Sequence, residues 1–307
     1  MSKIAFLLAG QGSQYPGMGR ELYEDIPEVK SFFDMAESLR PGTLHQMFEG
    51  SEDELKLTVN TQPCLFLTDM AAVIALEKEG IFPDVCAGFS LGEIAGLAAS
   101  GILSYEDAFR LVTVRGKLMH EASGMVKGKM AAVLKTDPEE LRLLCKDYGV
   151  YPVNYNCPGQ IVVSGSEDKM DAFCEELGNR KIRYVNLPVS GAFHTPYMES
   201  ASEGLRKELS GGSYDIRPSV RTLYSNLSGK PYPSEKEEIT ESISKQVSGS
   251  VRWEEIIRDM ASCGIDTFIE CGPGNTLSGF VKRTLKDVRI LNVSGRESLK
   301  NALEELK

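Results

Sequence analysis

The segment CAGFSLGE at residues 86–93 limits what this chain can fold into more than any other. The residues before it, 83–87, are typical of a short buried strand, and residues 94–100 are rich in Ala and Leu, as in a helix. Between them, Gly88-x-Ser90-x-Gly92 matches a nucleophile elbow, a sharp strand-to-helix turn that exposes a serine hydroxyl. Side chains in place of the two glycines would clash with the adjacent strand and helix. The segment predicts a nucleophilic Ser90; the alternative is an ordinary strand, turn and helix.

The amino-acid composition argues against several classes of function. The 307 residues are 42% hydrophobic and 25% charged, with a formal net charge of −10 and no long basic run, which argues against nucleic acid as a partner. Seven scattered cysteines without a CxxC pair favour reduced thiols over disulfides or zinc. No run reaches the roughly 18 apolar residues of a membrane span, and the apolar run after Lys3 is too short for a signal peptide. We expect a cytoplasmic protein with no metal and no membrane contact, and nothing requires more than a monomer.

The pattern before the elbow indicates an α/β protein. Residues 3–9 form a continuous apolar run typical of a buried parallel strand, and GQGSQ at 10–14 follows it at the end where such sheets place ligands. That loop lacks the third Gly of a dinucleotide fingerprint and the Gly-Lys-Ser/Thr of a P-loop. Helical patterns follow at 21–37 and 62–79, and between them Ser51-x-x-Glu54 predicts a capped short helix.

The pattern of predicted strands and helices changes between residues 130 and 188. Strand and helix patterns alternate there in the order βαββαβ, which is the ferredoxin-like unit. We therefore predict an α/β-hydrolase-like catalytic domain with a parallel sheet, formed by 1–127 and 190–307, and an inserted ferredoxin-like domain at 128–189. The only linker-like stretch is the polar run around 228–238.

One arginine lies where a charge is not expected. Ser104 can cap a helix over 105–121, and Arg115 falls in the apolar stripe of that helix. A guanidinium does not lose its proton on burial, so Arg115 needs a partner anion. The alternatives are a structural ion pair or an arginine that extends to the surface.

A serine nucleophile needs a base, usually a histidine, and the chain has three. His45 lies in an ordinary helical segment, and His120 is predicted to close the helix that carries Arg115. His194 lies on a loop flanked by Gly and Pro, where catalytic groups are often carried. The interval between Ser90 and His194 offers no carboxylate at the end of a strand. The sequence therefore favours His194 as the base, in a dyad oriented by a neutral acceptor.

Seven motifs, in order along essentially the whole chain, carry a resemblance to a known family. They are GQGSQ at 10–14, TQP at 61–63, GFSLGE at 88–93, RGK at 115–117, N-x-PGQ at 156–160, GAFH at 191–194 and GPG at 272–274. The chain resembles the acyltransferases of fatty acid and polyketide synthesis, the malonyl-CoA:acyl-carrier-protein transacylases among them. That family most often has a histidine before the nucleophile, where this chain has Phe89, which leaves fine substrate selection open.

The resemblance implies a role for each matching residue. Ser90 is the nucleophile and His194 the base. Arg115 holds the free carboxylate of the malonyl group, and the main-chain carbonyl of Gln246 orients the histidine.

Three further positions complete the expected site. By the same resemblance, Gln11 and the Leu91 backbone N–H form the oxyanion hole. Phe193, in the Ala192-Phe193 pair before the histidine, is typical of enzymes that take malonyl groups.

The expected reaction is ping-pong transfer of a malonyl group from malonyl-CoA, through an acyl-serine, to the phosphopantetheine thiol of holo acyl carrier protein, without a cofactor. The alternatives are a free-standing polyketide-type acyltransferase with another acyl preference, a serine acyl-thioester hydrolase, and a non-catalytic module that docks carrier protein. Carrier proteins are acidic, so the basic clusters Arg180-Lys181/Arg183 and Lys282-Arg283 are candidate docking sites; the alternative is a solvated surface.

Overall fold

The computed structural model describes residues 2–306, which form two β-sheets with helices around them. The strands in this range are β1 Ile4–Leu8, β2 Val85–Gly88, β3 Gly128–Leu134, β4 Tyr151–Cys157, β5 Gln160–Ser166, β6 Arg183–Asn186, β7 Thr222–Tyr224, β8 Thr267–Cys271 and β9 Arg289–Val293. The α-helices are α1 Arg20–Asp25, α2 Pro27–Leu39, α3 Thr43–Glu49, α4 Glu52–Lys56, α5 Thr58–Lys78, α6 Gly92–Ala99, α7 Tyr105–Met125, α8 Pro138–Tyr148, α9 Glu167–Asn179, α10 Glu199–Ser210, α11 Lys236–Gln246, α12 Trp253–Ser262, α13 Thr276–Thr284 and α14 Arg296–Leu306.

The larger sheet is parallel, in the order β7-β2-β1-β8-β9. Its central strand β1 is fully buried from Ala5 to Leu8, as the apolar run predicts for a parallel strand covered on both faces. Because all five strands run the same way, the loops after β1, β2, β7 and β8 meet at one edge. That edge is where open α/β sheets bind ligands.

The elbow after β2 needs both of its glycines. An ideal Cβ on Gly88 would lie 1.9 Å from the carbonyl carbon of Gly92, and one on Gly92 would lie 2.2 Å from the carbonyl oxygen of Leu8. Either side chain would force the strand and helix apart. Between the glycines, Ser90 has a φ of +52°, in the left-handed region that side chains disfavour.

The smaller sheet is antiparallel, in the order β4-β5-β3-β6. The first and third strands of the unit lie at its centre, as in a ferredoxin-like unit. The chain enters and leaves side by side, with Lys127 bridged to Gly191. The predicted fold class, a parallel α/β sheet with a ferredoxin-like unit, is confirmed. The division into 1–127 with 190–307 and 128–189 stays a prediction.

The helical pattern over 21–37 is two helices, not one. Ile26 is extended between α1 and α2, with a φ of −118° and a ψ of 108°, and Pro27 opens α2. A proline disfavours helical backbone at the residue before it, so the first helix must end there.

Two other helix boundaries differ from the prediction. Helix α5 begins at Thr58 rather than 62 and carries Pro63 inside it, since nearly all of the helix is buried and packing outweighs the proline's preference for a first turn. Helix α7 continues to Met125, so His120 lies within it and does not close it. The prediction that His120 closes this helix was therefore wrong.

Helix α5 has the length and composition to cross a membrane, with a mean hydropathy of 1.3 over its most apolar window. However, 94% of that window is buried inside the protein. The helix contacts α7 more extensively than any other element, so its apolar character is that of a core helix.

The polar run around 228–238 is not a linker. Pro231 forms an antiparallel bridge with Tyr224 of β7, and the Tyr232 N–H donates to the carbonyl of Leu223 at 2.7 Å. The chain therefore folds back along β7. This return places Asn226 and the buried Tyr232 beside the elbow.

Candidate active site

Ser90 and His194 meet at the carboxyl edge of the larger sheet. The Ser90 Oγ lies 2.7 Å from the His194 Nε2, although 104 residues separate them. The His194 Nδ1 lies 3.0 Å from the carbonyl oxygens of both Gln246 and Gly249. Carbonyl oxygens only accept, so Nδ1 carries the ring proton and Nε2 is free to accept the serine proton. The pair is a dyad with neutral orienting groups.

The backbone of His194 is held in an unusual conformation. Its φ is +61°, and its N–H donates to the carbonyl of Val247 at 3.1 Å. The hydroxyl of Thr195 donates to the Ala192 carbonyl at 2.6 Å and accepts from the Tyr197 N–H at 3.2 Å. These contacts fix the loop on which the imidazole is carried.

The surroundings of His194 keep its ring neutral. Burial, followed by the nearby Arg115 charge, lowers the pKa of His194 to about 4. The carbonyls of Gln246 and Gly249 oppose this shift because they favour the protonated ring. A neutral imidazole at pH 7 is the form that can take a proton from a serine.

Arg115 is buried beside Ser90 with no carboxylate in direct contact. Its Nη1 donates to the Gln62 Oε1 at 2.8 Å, and its Nη2 donates to the Gln246 Oε1 at 2.9 Å and to the Ser90 Oγ at 3.3 Å. Its Nε has no partner. Only 1% of the residue is exposed. Burial lowers the pKa of Arg115 to about 10, with the Glu93 charge opposing.

Neither structural alternative for Arg115 is found. Across residues 2–306, its guanidinium has no carboxylate oxygen within 4.0 Å, and it does not reach the surface. Its acceptors are neutral amide and hydroxyl oxygens. The guanidinium therefore has hydrogen-bonding capacity and charge left for an anion at Ser90.

Gln11, Leu91 and Phe193 lie in the wall of the cavity that contains Ser90. The backbone N–H groups of Gln11 and Leu91 donate to no protein acceptor within the described part of the chain. Free donors beside a serine hydroxyl are what an oxyanion hole requires.

The cavity opens into a larger cleft. The cavity itself is small, about 80 Å³, and the cleft beside it measures about 1170 Å³. Both are lined by Gln11, Phe89, Asn154 and Leu187. Phe89 packs edge-on against Trp253 with ring centroids 5.3 Å apart. Ligand sites usually measure about 300–1,000 Å³, so the cavity suits the acyl end of a ligand whose bulk lies in the cleft.

Sequence reasoning missed four contributors to this site. Gln62 and the side chain of Gln246 bind Arg115, Gly249 supplies the second carbonyl to the histidine, and Asn226 binds the elbow. Gln62 lies within the TQP motif at 61–63, but nothing in that motif indicated that its side chain accepts a hydrogen bond from Arg115. The others had no signal, because their partners lie far away in the sequence.

Comparison with known proteins gives the class to which this fold and site belong. A family model described as acyl transferase domain matches residues 5–302. The chain therefore belongs to the acyl transferase family. It is 41% identical to the malonyl CoA-acyl carrier protein transacylase of Bacillus subtilis (strain 168), over 100% of this chain and 98% of the relative.

Solved structures that superpose on this chain agree with the family assignment. The malonyl CoA-acyl carrier protein transacylase from Clostridium perfringens superposes with a TM-score of 0.94 at 38% identity, covering 99% of this chain and 97% of that chain. A malonyl-transacylase in complex with a type II PKS acyl-carrier protein superposes with a TM-score of 0.93 at 31% identity, covering 99% of this chain and 100% of that one.

The neutral histidine can be tested by NMR. We expect the His194 ring to carry its proton on Nδ1 and to remain neutral as the pH falls from 8 to about 5, because burial disfavours the imidazolium until the pH approaches 4. Nitrogen-15 spectra of the folded protein across this range report both tautomer and charge, and His194→Asn assigns the signal among the three histidines. Protonation of His194 at or above the ordinary value of about 6.5 would contradict the inferred environment.

Proposed function

We propose that this protein transfers a malonyl group from malonyl-CoA to the thiol of holo acyl carrier protein, through a malonyl ester on Ser90. The reaction is the one named for the relatives, and the comparisons support it for this chain. The relative solved in complex with an acyl-carrier protein supports the second partner. The roles of the residues are argued from the geometry of the site.

In the first half-reaction, the Ser90 Oγ attacks the thioester carbonyl carbon while its proton passes to the His194 Nε2. The carbonyl oxygen becomes an oxyanion, which the free N–H groups of Gln11 and Leu91 stabilise. The C–S bond then breaks, and the CoA sulfur takes the proton from His194 as it leaves. The product is the acyl-enzyme.

The second half-reaction reverses these steps with a different thiol. The phosphopantetheine thiol gives its proton to His194 and attacks the ester carbonyl, and Ser90 recovers the proton as the C–O bond breaks. CoA and holo carrier protein share the pantetheine arm, so the one cleft beside Ser90 serves both.

The observation that carries this proposal is the buried guanidinium of Arg115, which lies beside the serine hydroxyl and bonds only neutral acceptors. A malonyl group differs from an acetyl group by a free carboxylate, and that carboxylate is the anion that the arginine lacks. A guanidinium binds a planar carboxylate in two parallel hydrogen bonds. Phe193, in the same cavity wall, contributes apolar surface beside the acyl chain.

We also place the protein in the cytoplasm, acting as a monomer without nucleic acid, membrane or metal. All seven cysteines are free thiols, which suits a reducing compartment. The formal net charge of −10 is unfavourable for binding nucleic acid.

The acyl-enzyme is the first test. Brief mixing with malonyl-CoA should add one malonyl mass to the peptide that contains residues 88–93, and Ser90→Ala should abolish both the adduct and transfer. Ser100→Ala, directly after the far end of helix α6, should leave both unchanged. Mass spectrometry of the digested protein makes the measurement. A label on another residue would refute the assignment, and release of free malonate faster than transfer would indicate a hydrolase.

The choice of acyl group is the second test. Arg115→Ala should lower kcat/KM for malonyl-CoA by roughly 30-fold to several thousand-fold, the usual effect of about 2–5 kcal/mol for removing one partner of a buried charge pair. Acetyl-CoA should lose far less, since it brings no carboxylate. Arg115→Lys should recover only part of the malonyl rate, because lysine is cationic but lacks the planar fork.

The control for Arg115 lies on the same helix. Arg110 is exposed and pairs with Glu106, so Arg110→Ala should change neither rate. The readout is the malonyl-to-acetyl ratio of kcat/KM, which a general loss of folding would not move. An unchanged ratio in Arg115→Ala would make the arginine purely structural.

The structure favours one of the two basic clusters as the docking site for carrier protein. Lys282 and Arg283 line the cleft that leads to Ser90. In the other cluster, on the smaller unit, Arg180 is already paired with Glu176 at 2.6 Å. A carrier protein bound at the cleft would deliver its pantetheine arm directly to the serine.

Docking is tested in the second half-reaction, from purified malonyl-enzyme. Lys282→Glu should slow transfer to holo carrier protein far more than transfer to free pantetheine, and the gap should shrink as salt rises. Lys181→Glu is the matched charge reversal in the other cluster and should have the smaller effect. Equal slowing with both thiol acceptors would exclude docking at Lys282.

A further inference from the structure

The nucleophile is held in a conformation that its own backbone does not favour. Ser90 is one of the few non-glycine residues with a positive φ in the described chain. Such a residue costs free energy and persists only when its surroundings fix it. Its position matters because it directs Oγ to the His194 Nε2 and leaves the Leu91 N–H free.

The sheet itself does not hold the elbow on the side of β7. Strands β2 and β7 pair in parallel only as far as Ala87 and Tyr224. After Tyr224 the chain turns, with the Ser225 N–H donating to the Lys230 carbonyl at 2.9 Å. If the parallel strand continued in register, the residue two positions after Tyr224 would lie opposite Phe89, and its backbone would bond the C=O and the N–H on either side of Phe89. The turn removes that backbone partner.

The side chain of Asn226 takes its place. Its Nδ2 donates to the Gly88 carbonyl at 2.7 Å, and its Oδ1 accepts the Ser90 N–H at 2.7 Å. These are the C=O and N–H that a continuing strand would have bonded. One carboxamide therefore makes the two hydrogen bonds that the backbone of a continuing strand would make, and one of them is to the backbone of the nucleophile.

Asn226 is itself fixed from both sides. Its backbone N–H donates to the Glu93 Oε2 at 2.7 Å, and its carbonyl accepts from the Arg252 N–H at 3.0 Å. The other Glu93 oxygen accepts the hydroxyl of Tyr232. Asn226 is completely buried, so water cannot replace its carboxamide.

A second amide holds the other end of the serine. The Gln246 Nε2 donates to the Ser90 carbonyl at 2.8 Å, while the main chain of Gln246 orients His194. Both polar groups of the Ser90 backbone are thus bound by buried amide side chains. The Gln246 Nε2 also donates to the Asn226 Oδ1 at 3.4 Å, but Asn226 itself bonds neither His194 nor Arg115.

We propose that Asn226 is a positioning residue for acyl transfer: its carboxamide replaces the missing strand and holds Ser90 in the left-handed conformation that aligns Oγ with His194. The inference rests on the proposed function, since it assumes that Ser90 is acylated. It assigns Asn226 an effect on the rate of acylation and little effect on substrate binding.

Asn226→Ala removes the donor and the acceptor together. We expect the single-turnover rate constant for acylation of Ser90 by malonyl-CoA to fall by about 100-fold, the scale of a roughly 1 Å misplacement of a reacting group. The KM for malonyl-CoA should stay within about threefold, because Asn226 does not bond Arg115 and lines neither the cavity nor the cleft. Rates are taken per folded enzyme, with circular dichroism and thermal unfolding measured on each variant.

Asn292→Ala is the matched control. The Asn292 carboxamide also spans main-chain groups at the end of a strand of the same sheet, with its Nδ2 2.8 Å from the Gly274 carbonyl. Its loss should lower stability while leaving the acylation rate unchanged. A comparable fall in acylation in this variant would mean that any lost amide at this edge has the same effect, and would overturn the specific role of Asn226.

Asn226→Asp tests the chemistry of the carboxamide. A protonated aspartic acid can donate to the Gly88 carbonyl and accept the Ser90 N–H, whereas an ionised one can only accept. Glu93 binds the backbone N–H of position 226 directly, and Tyr232 binds Glu93. Arg115 and His194 lie one residue further away, beyond Gln246 and Ser90. Burial beside Glu93 favours the protonated acid. At pH 6 Asn226→Asp should therefore acylate faster than Asn226→Ala, and closer to the wild-type rate than at pH 9.

The outcomes separate this inference from the proposed function. If the wild type is not acylated on Ser90, the proposed function fails. If the wild type is acylated but folded Asn226→Ala acylates within about threefold of it, or loses activity only through KM, the role of Asn226 is refuted. An aspartate variant no faster than the alanine variant at pH 6 also refutes it. Should Asn226→Ala not fold, the aspartate variant decides: its rate relative to the wild type must be higher at pH 6 than at pH 9.

Discussion

The site depends on one buried charge that no carboxylate of the described chain contacts directly. Arg115 binds only neutral oxygens, yet it lies 3.3 Å from the serine hydroxyl and contributes to the low pKa of His194. A buried guanidinium cannot shed its proton at neutral pH, so the surrounding groups must accommodate the charge. Gln62 and Gln246 do this with amide oxygens, which leave room for a carboxylate to bind in addition.

Two residues with a left-handed backbone conformation meet beside the Arg115 guanidinium. Ser90 has a φ of +52° and His194 one of +61°, and each is held by hydrogen bonds from chain segments distant in sequence. Strain of this kind is maintained by the contacts around it. Gln246 joins the two, since its side chain bonds the serine residue and its main chain bonds the histidine. The reactive geometry is a property of the assembled loops and not of either residue alone.

The smaller sheet completes the enclosure. Met130, Asn154 and Leu187, all within residues 128–189, line the cavity together with groups from the larger sheet. The acyl end of a substrate would thus lie between the two sheets, away from most water, where hydrogen bonds to an oxyanion are strongest. The cleft outside supplies the space that a pantetheine arm needs.

The sequence by itself determined the features that depend on residues close together along the chain. Such local features are the elbow glycines, the Ser51 and Ser104 caps, the βαββαβ order and the family motifs. The fold class and the family that they predicted were confirmed. The tertiary structure alone decided the partners of Arg115 and the support of Ser90, because these contacts join residues 25 to 156 positions apart. The run around 228–238 illustrates the limit. Its polar composition favoured a linker, but its backbone pairs with β7 and brings Asn226 to the elbow, and such long-range pairing leaves no local periodicity to read.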